Sequence, residues 1–164
     1  MTVIVAADKN FAIGKDNGLL ARLPEDMKFF KEKTIGNAVV MGSKTYMSFP
    51  KRPLPERENL VITSEPEKYP EVKTFTSVEE FLAYAEASEK EIYVCGGGMV
   101  YKELLPYCEK ALVTKIDYIF EGDTFFPDID KLPEWKLTEE SEPVETNGYT
   151  IRFTTYENTS VKKL

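Results

Sequence analysis

The sequence predicts an α/β fold with a largely parallel sheet, and three observations carry that prediction. Short apolar, β-branched runs recur between Gly, Pro, Asn and Asp signals. Helical patterns occupy intervals between them. One period-two stretch near the C-terminus departs from both and marks an antiparallel edge.

Thr2–Ala7 comes first, too short for a helix and near-continuously apolar, as in a strand buried on both faces. A helix is expected over Glu25–Thr34. Pro24 suits a first helical position, and Glu25 and Asp26 complement the positive end of the helix dipole. At about 100° per residue, Asp26 and Phe30 share one arc, with Met27 close by and Phe29 on its flank. Ala38–Met41 reads as the next strand and Lys44–Phe49 as the next helix. Leu60–Thr63, Glu91–Cys95 and Ala111–Ile116 continue the strands, with helices at Val78–Ala87 and Met99–Leu105. Tyr149–Tyr156 alternates with period two behind Asn147–Gly148, a hairpin signal. With no repeat, low-complexity tract or linker, residues 1–164 are expected to form a single domain.

At 42% hydrophobic and 30% charged residues, the composition is that of a globular protein and disfavours disorder, collagen and coiled coil. Two cysteines make no disulfide framework, so reduced thiols are expected. The chain has no histidine, which removes His-based triads, His-ligated metal and imidazole acid–base chemistry. Carboxylates, Lys, Tyr or a bound cofactor must carry any reaction. A net charge of −7 argues against a general nucleic-acid or anionic-membrane surface. The N-terminus has no basic region, its apolar run is too short for a signal peptide, and no stretch approaches a membrane span. A cytoplasmic monomer is expected.

Five segments bear on chemistry. In LLARLPEDMKFFKEKT (Leu19–Thr34), a carboxylate shares an arc with large apolar side chains. Asp26 either favours the helix start from water or sits in an apolar pocket, where its pKa would rise. In EIYVCGGGMVYKELL (Glu91–Leu105), a strand runs through Gly96–Gly97–Gly98 into a helix. Such a turn allows close backbone approach and suits phosphate, though it is no Rossmann fingerprint and also reads as a tight turn. VVMGSKT (Val39–Thr45) and Thr63–Ser64 end strands the same way and could form a second anion site, with Lys44 supplying charge. In KRPLPEREN (Lys51–Asn59), Pro53 and Pro55 stiffen a loop bearing Arg52 and Arg57, a suitable carboxylate clamp or a solvated basic loop. EGDTFFPD (Glu121–Asp128) lacks the ligand spacing and sixth-position glycine of a calcium loop. Cys95 and Cys108 read as packing residues.

Taken in order, these segments resemble the dihydrofolate reductase family nearly end to end. The resemblance rests on Ala12–Ile13–Gly14–Lys15, Leu23–Pro24 with Asp26, and Met41–Gly42 with Thr45. It continues through Arg52–Pro53–Leu54–Pro55 with Arg57, Gly96–Gly97–Gly98 with Tyr101, and Glu121–Gly122–Asp123–Thr124. It implies a three-layer sandwich: an eight-stranded, mostly parallel mixed sheet with four flanking helices. It also implies hydride transfer from NADPH to the pterin ring of dihydrofolate, giving tetrahydrofolate for one-carbon metabolism.

By the same resemblance, Asp26 binds the pterin edge and promotes its protonation, Thr114 supports that carboxylate, and Leu19 acts from the loop over the nicotinamide. Ile4, Val5, Met27, Phe30, Phe49, Leu54 and Cys95 would line the substrate, and Arg57 would clamp its α-carboxylate. Gly97 and Gly98 would form the pyrophosphate turn behind a cis Gly96–Gly97 bond. Lys44, Thr45, Thr63 and Ser64 would meet cofactor phosphates. Ala6, Ile13, Gly14, Asn17, Gly42, Ser43, Cys95, Met99, Val100, Tyr101 and Thr124 would complete the cofactor site, with Asp123 steadying the Asn17–Leu19 loop.

Two departures stand out. Ala21 occupies the place of the family's usual Trp, which implies a wider pocket and a different solvent route. Ser43 and Met99 stand where many relatives carry Arg, which leaves more of the 2′-phosphate recognition to Lys44. Rival readings are a reductase of the riboflavin-synthesis type, opposed by Asp26 and Arg57, and a non-catalytic nucleotide-binding relative.

Overall fold

The computed structural model describes residues 1–16 and 18–163. In chain order its elements are β1 (Thr2–Ala7), β2 (Ala12–Gly14), α1 (Pro24–Thr34), β3 (Ala38–Gly42), α2 (Ser43–Ser48), β4 (Glu58–Ile62), β5 (Lys73–Phe75), α3 (Val78–Ala87), β6 (Ile92–Val94), α4 (Gly98–Leu104), β7 (Lys110–Ile116), β8 (Thr124–Phe125), β9 (Trp135–Glu140), β10 (Val144–Thr146) and β11 (Tyr149–Asn158).

Eight strands follow one hydrogen-bonded path, β10-β11-β7-β1-β6-β3-β4-β5. From β7 to β5 every pairing is parallel, while β11 runs antiparallel to both β7 and β10. The expected mostly parallel sheet with an antiparallel edge is therefore present, with one addition. β11 is ten residues long, enough to take two short partners on its outer edge. β10 covers Tyr149–Ile151; beyond that, β9 pairs with Thr154–Asn158, across a register shift at Thr155/Tyr156, as a ninth strand. β2 and β8 form a separate antiparallel pair.

The central strands have apolar residues on both faces because helices cover both. Ala38 and Val40 face a core completed by Phe81 of α3 and Leu104 of α4. Val39 and Met41 face the opposite core, with Tyr46 of α2 and Phe30 of α1. Full burial of a side chain the size of Val40, Met41, Phe81 or Leu104 contributes about 1.5–3 kcal/mol. This two-sided burial explains the absence of alternation in the central runs. At the hairpin, Asn147 (φ 48°) and Gly148 (φ 82°) both adopt left-handed backbone, the conformation of a two-residue hairpin turn.

Some boundaries differ from the expectation. β4 begins at Glu58, which pairs with Ala38 at the start of β3, so Thr63 lies just past its end. β5 (Lys-Thr-Phe) went unread because Phe75 is its one buried residue, which leaves no apolar run. β9 went unread because Trp135 is its one buried side chain, leaving no alternation to see.

Candidate active site

The parallel strands have their carboxyl ends along one side of the sheet, where open α/β sheets ordinarily bind ligands. α1 lies beside this edge. Pro24 occupies its first turn, and Leu23 offers no side-chain cap. Capping comes instead from the distant hairpin: the Glu25 N–H donates to Thr146 Oγ1 at 3.3 Å. One residue before α1's cap, Asn147 Nδ2 donates to the Arg22 carbonyl at 2.9 Å. Phe29 stacks on Phe153 of β11, ring centroids 4.4 Å apart.

Held this way, α1 turns Asp26 toward the sheet. The Thr114 hydroxyl on β7 donates to Asp26 Oδ1 at 2.6 Å. Thr114 is itself fixed in register between Ala6 of β1 and Phe153 of β11. Burial pushes the Asp26 carboxyl above its ordinary range, and the Thr114 hydrogen bond pulls it partly back. Of the two sequence readings, the solvated helix-start carboxylate is the one this geometry rejects.

Of the residues expected to line the substrate, Ile4 is buried on β1, and Phe30, one helical turn after Asp26 on α1, stacks on Phe49 at 6.0 Å. Leu54 is buried in the same cluster, whereas Met27 is about half exposed. Val5 differs: its side chain packs into the core beneath α3 and α4, because alternate strand residues face opposite layers. Only its backbone remains for the α1 side.

The two arginines of the proline loop part ways. Arg52 Nη1 donates to the carbonyls of Met47 and Phe49 at 2.8 and 2.9 Å, closing the end of α2. Arg57 lies 6.0 Å over the Phe30 ring and donates from Nε to the Pro55 carbonyl at 2.9 Å and from Nη1 to Thr34 Oγ1 at 3.1 Å. Burial lowers its pKa from the ordinary value, yet a guanidinium stays charged.

On the other side of β1, three strand ends meet. The Gly42 N–H donates to the Gly96 carbonyl at 2.9 Å, joining the ends of β3 and β6. The Gly96–Gly97 peptide is cis, and Gly96 has φ +113°. A Cβ on Gly97 would stand 3.3 Å from Thr45 Oγ1, and one on Gly98 only 2.9 Å from Thr124 Cγ2. The turn thus presents bare backbone between two hydroxyl-bearing residues, a cradle that suits a phosphate group. Ser43 opens α2, Lys44 is exposed beside it, and Thr63 and Ser64 follow the end of β4.

Other expected residues have narrower places. The Tyr101 hydroxyl donates to the Ile4 carbonyl at 2.7 Å, so it ties α4 to β1 from within the core. Val100 is likewise buried, 3.5 Å from where a Gly42 Cβ would stand. The Cys95 thiol donates to the Tyr93 carbonyl at 3.4 Å, and burial pushes its pKa up, away from reactivity. Met99 and Leu19 are 73% and 77% exposed. Ile13 and Gly14 lie on β2, and Asn17 lies outside the described residues. Asp123 accepts the Asp16 N–H at 3.0 Å, and that bond holds its carboxyl below the ordinary range.

Sequence reasoning missed Asp8, Thr34 and Asn59. Asp8 is buried and accepts N–H groups of Asn10, Ala12 and Phe120, joining two loops. Asn59 accepts the Leu54 N–H and donates to the Leu54 and Arg57 carbonyls at 2.9–3.0 Å. A polar residue beside a proline loop was the one available signal.

The sequence model of the family described as dihydrofolate reductase matches residues 1–158. This chain belongs to the dihydrofolate reductase family. It is 39% identical to the dihydrofolate reductase of Bacillus subtilis over 166 residues, 99% of this chain and 97% of that one. With the Enterococcus faecium dihydrofolate reductase it shares 42% identity over 161 residues, 94% of this chain and 95% of that one. A solved dihydrofolate reductase from Enterococcus faecalis, complexed with NADP(H) and RAB-propyl, superposes with a TM-score of 0.86. The two share 42% identity over 96% of this chain and 95% of that one. Within the family frame, Ala21 packs against the cluster of Leu23, Ile116 and Ile151.

Proposed function

We propose that this chain is an NADPH-dependent dihydrofolate reductase that forms tetrahydrofolate. The observation that carries the reading is Asp26: a partly buried carboxylate with a raised pKa, oriented by Thr114. The cofactor supplies the hydride. Gly97, Gly98, Thr45, Lys44, Thr63 and Ser64 hold its phosphates, and Gly42, Ser43, Ala6, Ile13, Gly14 and Thr124 border it. Asp26 does the protein's own chemistry. Oδ1 is engaged by Thr114, which leaves Oδ2 to grip the heterocycle and keep a proton available for the reduced C=N bond. Ile4, Phe30, Phe49 and Leu54 align the ring and exclude water, and Arg57 takes the α-carboxylate through its free edge. Both ligands are anionic while the chain carries −7, so Arg57, Lys44 and backbone N–H groups supply the local attraction.

We further propose a cytoplasmic, single-domain monomer without nucleic-acid partners, and the acidic net charge supports the last of these. The direct experiment mixes purified protein with NADPH and dihydrofolate and follows reduced-nicotinamide absorbance, with NADH and a no-substrate blank alongside. Rapid dihydrofolate-dependent loss is expected. No loss, with both ligands bound by calorimetry, would make this a binding relative and direct attention to Ala21.

A further inference from the structure

Resting on that reading, we propose that Thr34 is a specificity-determining positioning residue: its hydroxyl fixes Arg57 to the helix that carries Asp26, so α1 sets the spacing between heterocycle grip and carboxylate clamp. Thr34 is the last residue of α1 and is fully buried at 0% exposure. Its single hydroxyl proton goes to the Phe30 carbonyl at 2.7 Å. It therefore meets Arg57 Nη1 as an acceptor, at 3.1 Å. The Phe30 ring closes the circuit, lying under the same guanidinium at 6.0 Å.

This arrangement selects one orientation of the fork. An arginine has five N–H donors. Nε serves Pro55 and one Nη1 proton serves Thr34, while the Nη2 edge has no protein partner among the described residues. A carboxylate can then take two parallel hydrogen bonds from an edge whose direction is already set, so little side-chain freedom is lost on binding. Asn59 does a different task. It fastens the loop backbone at Leu54 and Arg57, whereas Thr34 aims only the guanidinium.

The two anchor points lie on one rigid element. Asp26 and Thr34 are eight residues apart on α1, about 12 Å along a helix axis. A substrate that offers a heterocycle and a carboxylate at the matching separation engages both. One that lacks the carboxylate gains nothing from Thr34.

The test uses Thr34→Val, which keeps shape and β-branching but removes the acceptor. KM for dihydrofolate should rise about tenfold, the equivalent of about 1.4 kcal/mol, with kcat at saturation unchanged. With 6-methyl-dihydropterin, which has no glutamate, kcat/KM should match the wild type. Thr34→Ser should restore KM, and Thr34→Val should add nothing in an Arg57→Leu background. Equal losses on both substrates, or an unchanged KM for dihydrofolate, would overturn the assignment. If Thr34→Val folds poorly, Thr34→Ala is read by the same two-substrate ratio. Failure of the wild type to turn over dihydrofolate sinks the proposed reaction; wild-type turnover with an unaltered ratio in the variant sinks only the role of Thr34.

Discussion

Replacing Thr114 by Val exchanges a hydroxyl for a methyl at a site 2% exposed and removes the 2.6 Å hydrogen bond to Asp26. The sign follows from which form of the carboxyl the bond favours. A donated O–H stabilises the ionised form, and here it offsets part of the rise caused by burial. Without it, the proton is held to higher pH. A hydrogen bond to a charged group contributes about 1.5–3 kcal/mol in full burial. Asp26 keeps some solvent contact, so the lower end applies, about one pKa unit. Reduction of a C=N bond consumes a proton with the hydride, so turnover falls as pH rises through this ionisation. The midpoint of that fall should move up by about one unit in Thr114→Val. Single-turnover hydride transfer measured from acid to alkaline pH reads it directly. A midpoint that stays put or moves down, with the ternary complex still forming, would refute the reasoning.

Asp26→Asn should lower turnover by about 10²–10⁴ while raising stability at neutral pH. Between the ordinary carboxylate pKa and the raised one, the folded state holds more protons than the unfolded, so wild-type stability falls as pH rises through that window. The variant escapes this loss, and urea melts at acid and neutral pH should show its advantage growing with pH. Gly98→Ala would place a methyl 2.9 Å from Thr124 Cγ2 and 3.6 Å from the Phe125 carbonyl. A stability loss of about 1–3 kcal/mol is expected. Calorimetry should show weakened NADPH binding with dihydrofolate affinity nearly intact. Asn59→Leu leaves the buried Leu54 N–H without its side-chain acceptor, at a cost of about 1–3 kcal/mol. Melting temperature and substrate affinity should fall together, unlike in Thr34→Val, and an unchanged melting temperature would count against the loop-fastening role.

Much of this was legible in the residues. The buried central strands show as apolar runs because both faces are covered, and Val78–Ala87 was readable to the residue because Ser77 caps it and Phe81 anchors it. The family motifs contained Asp26 and Arg57, and the resemblance they carry implied Thr114. What the sequence hid was direction. A first-turn aspartate looks the same whether it faces water or a threonine 88 positions away. Arg52 and Arg57 sit in one loop, and only the fold shows that one closes α2 while the other keeps a free edge. Thr34 and Asn59 carry no motif, since their partners are backbone groups and one guanidinium. Strands such as β9, exposed on nearly every residue, leave no periodic trace.

The seating of α1 bears on how the protein is made. The helix is synthesised early, yet its lead-in is held by Thr146 and Asn147, 121 and 125 positions downstream. Phe29 likewise waits for Phe153. The glycine turn, Thr45, Thr63 and Thr124 all precede residue 125. A chain growing from its N-terminus therefore carries every residue of the glycine-turn cradle before the residues that fix the wall of the pterin half are made. Long-range pairings of this kind form late and close at an entropic cost. The core beneath the glycine turn also includes Phe126, Ile129, Trp135 and Tyr156, so NADPH can stabilise the fold by mass action only once the last strands have closed both halves together.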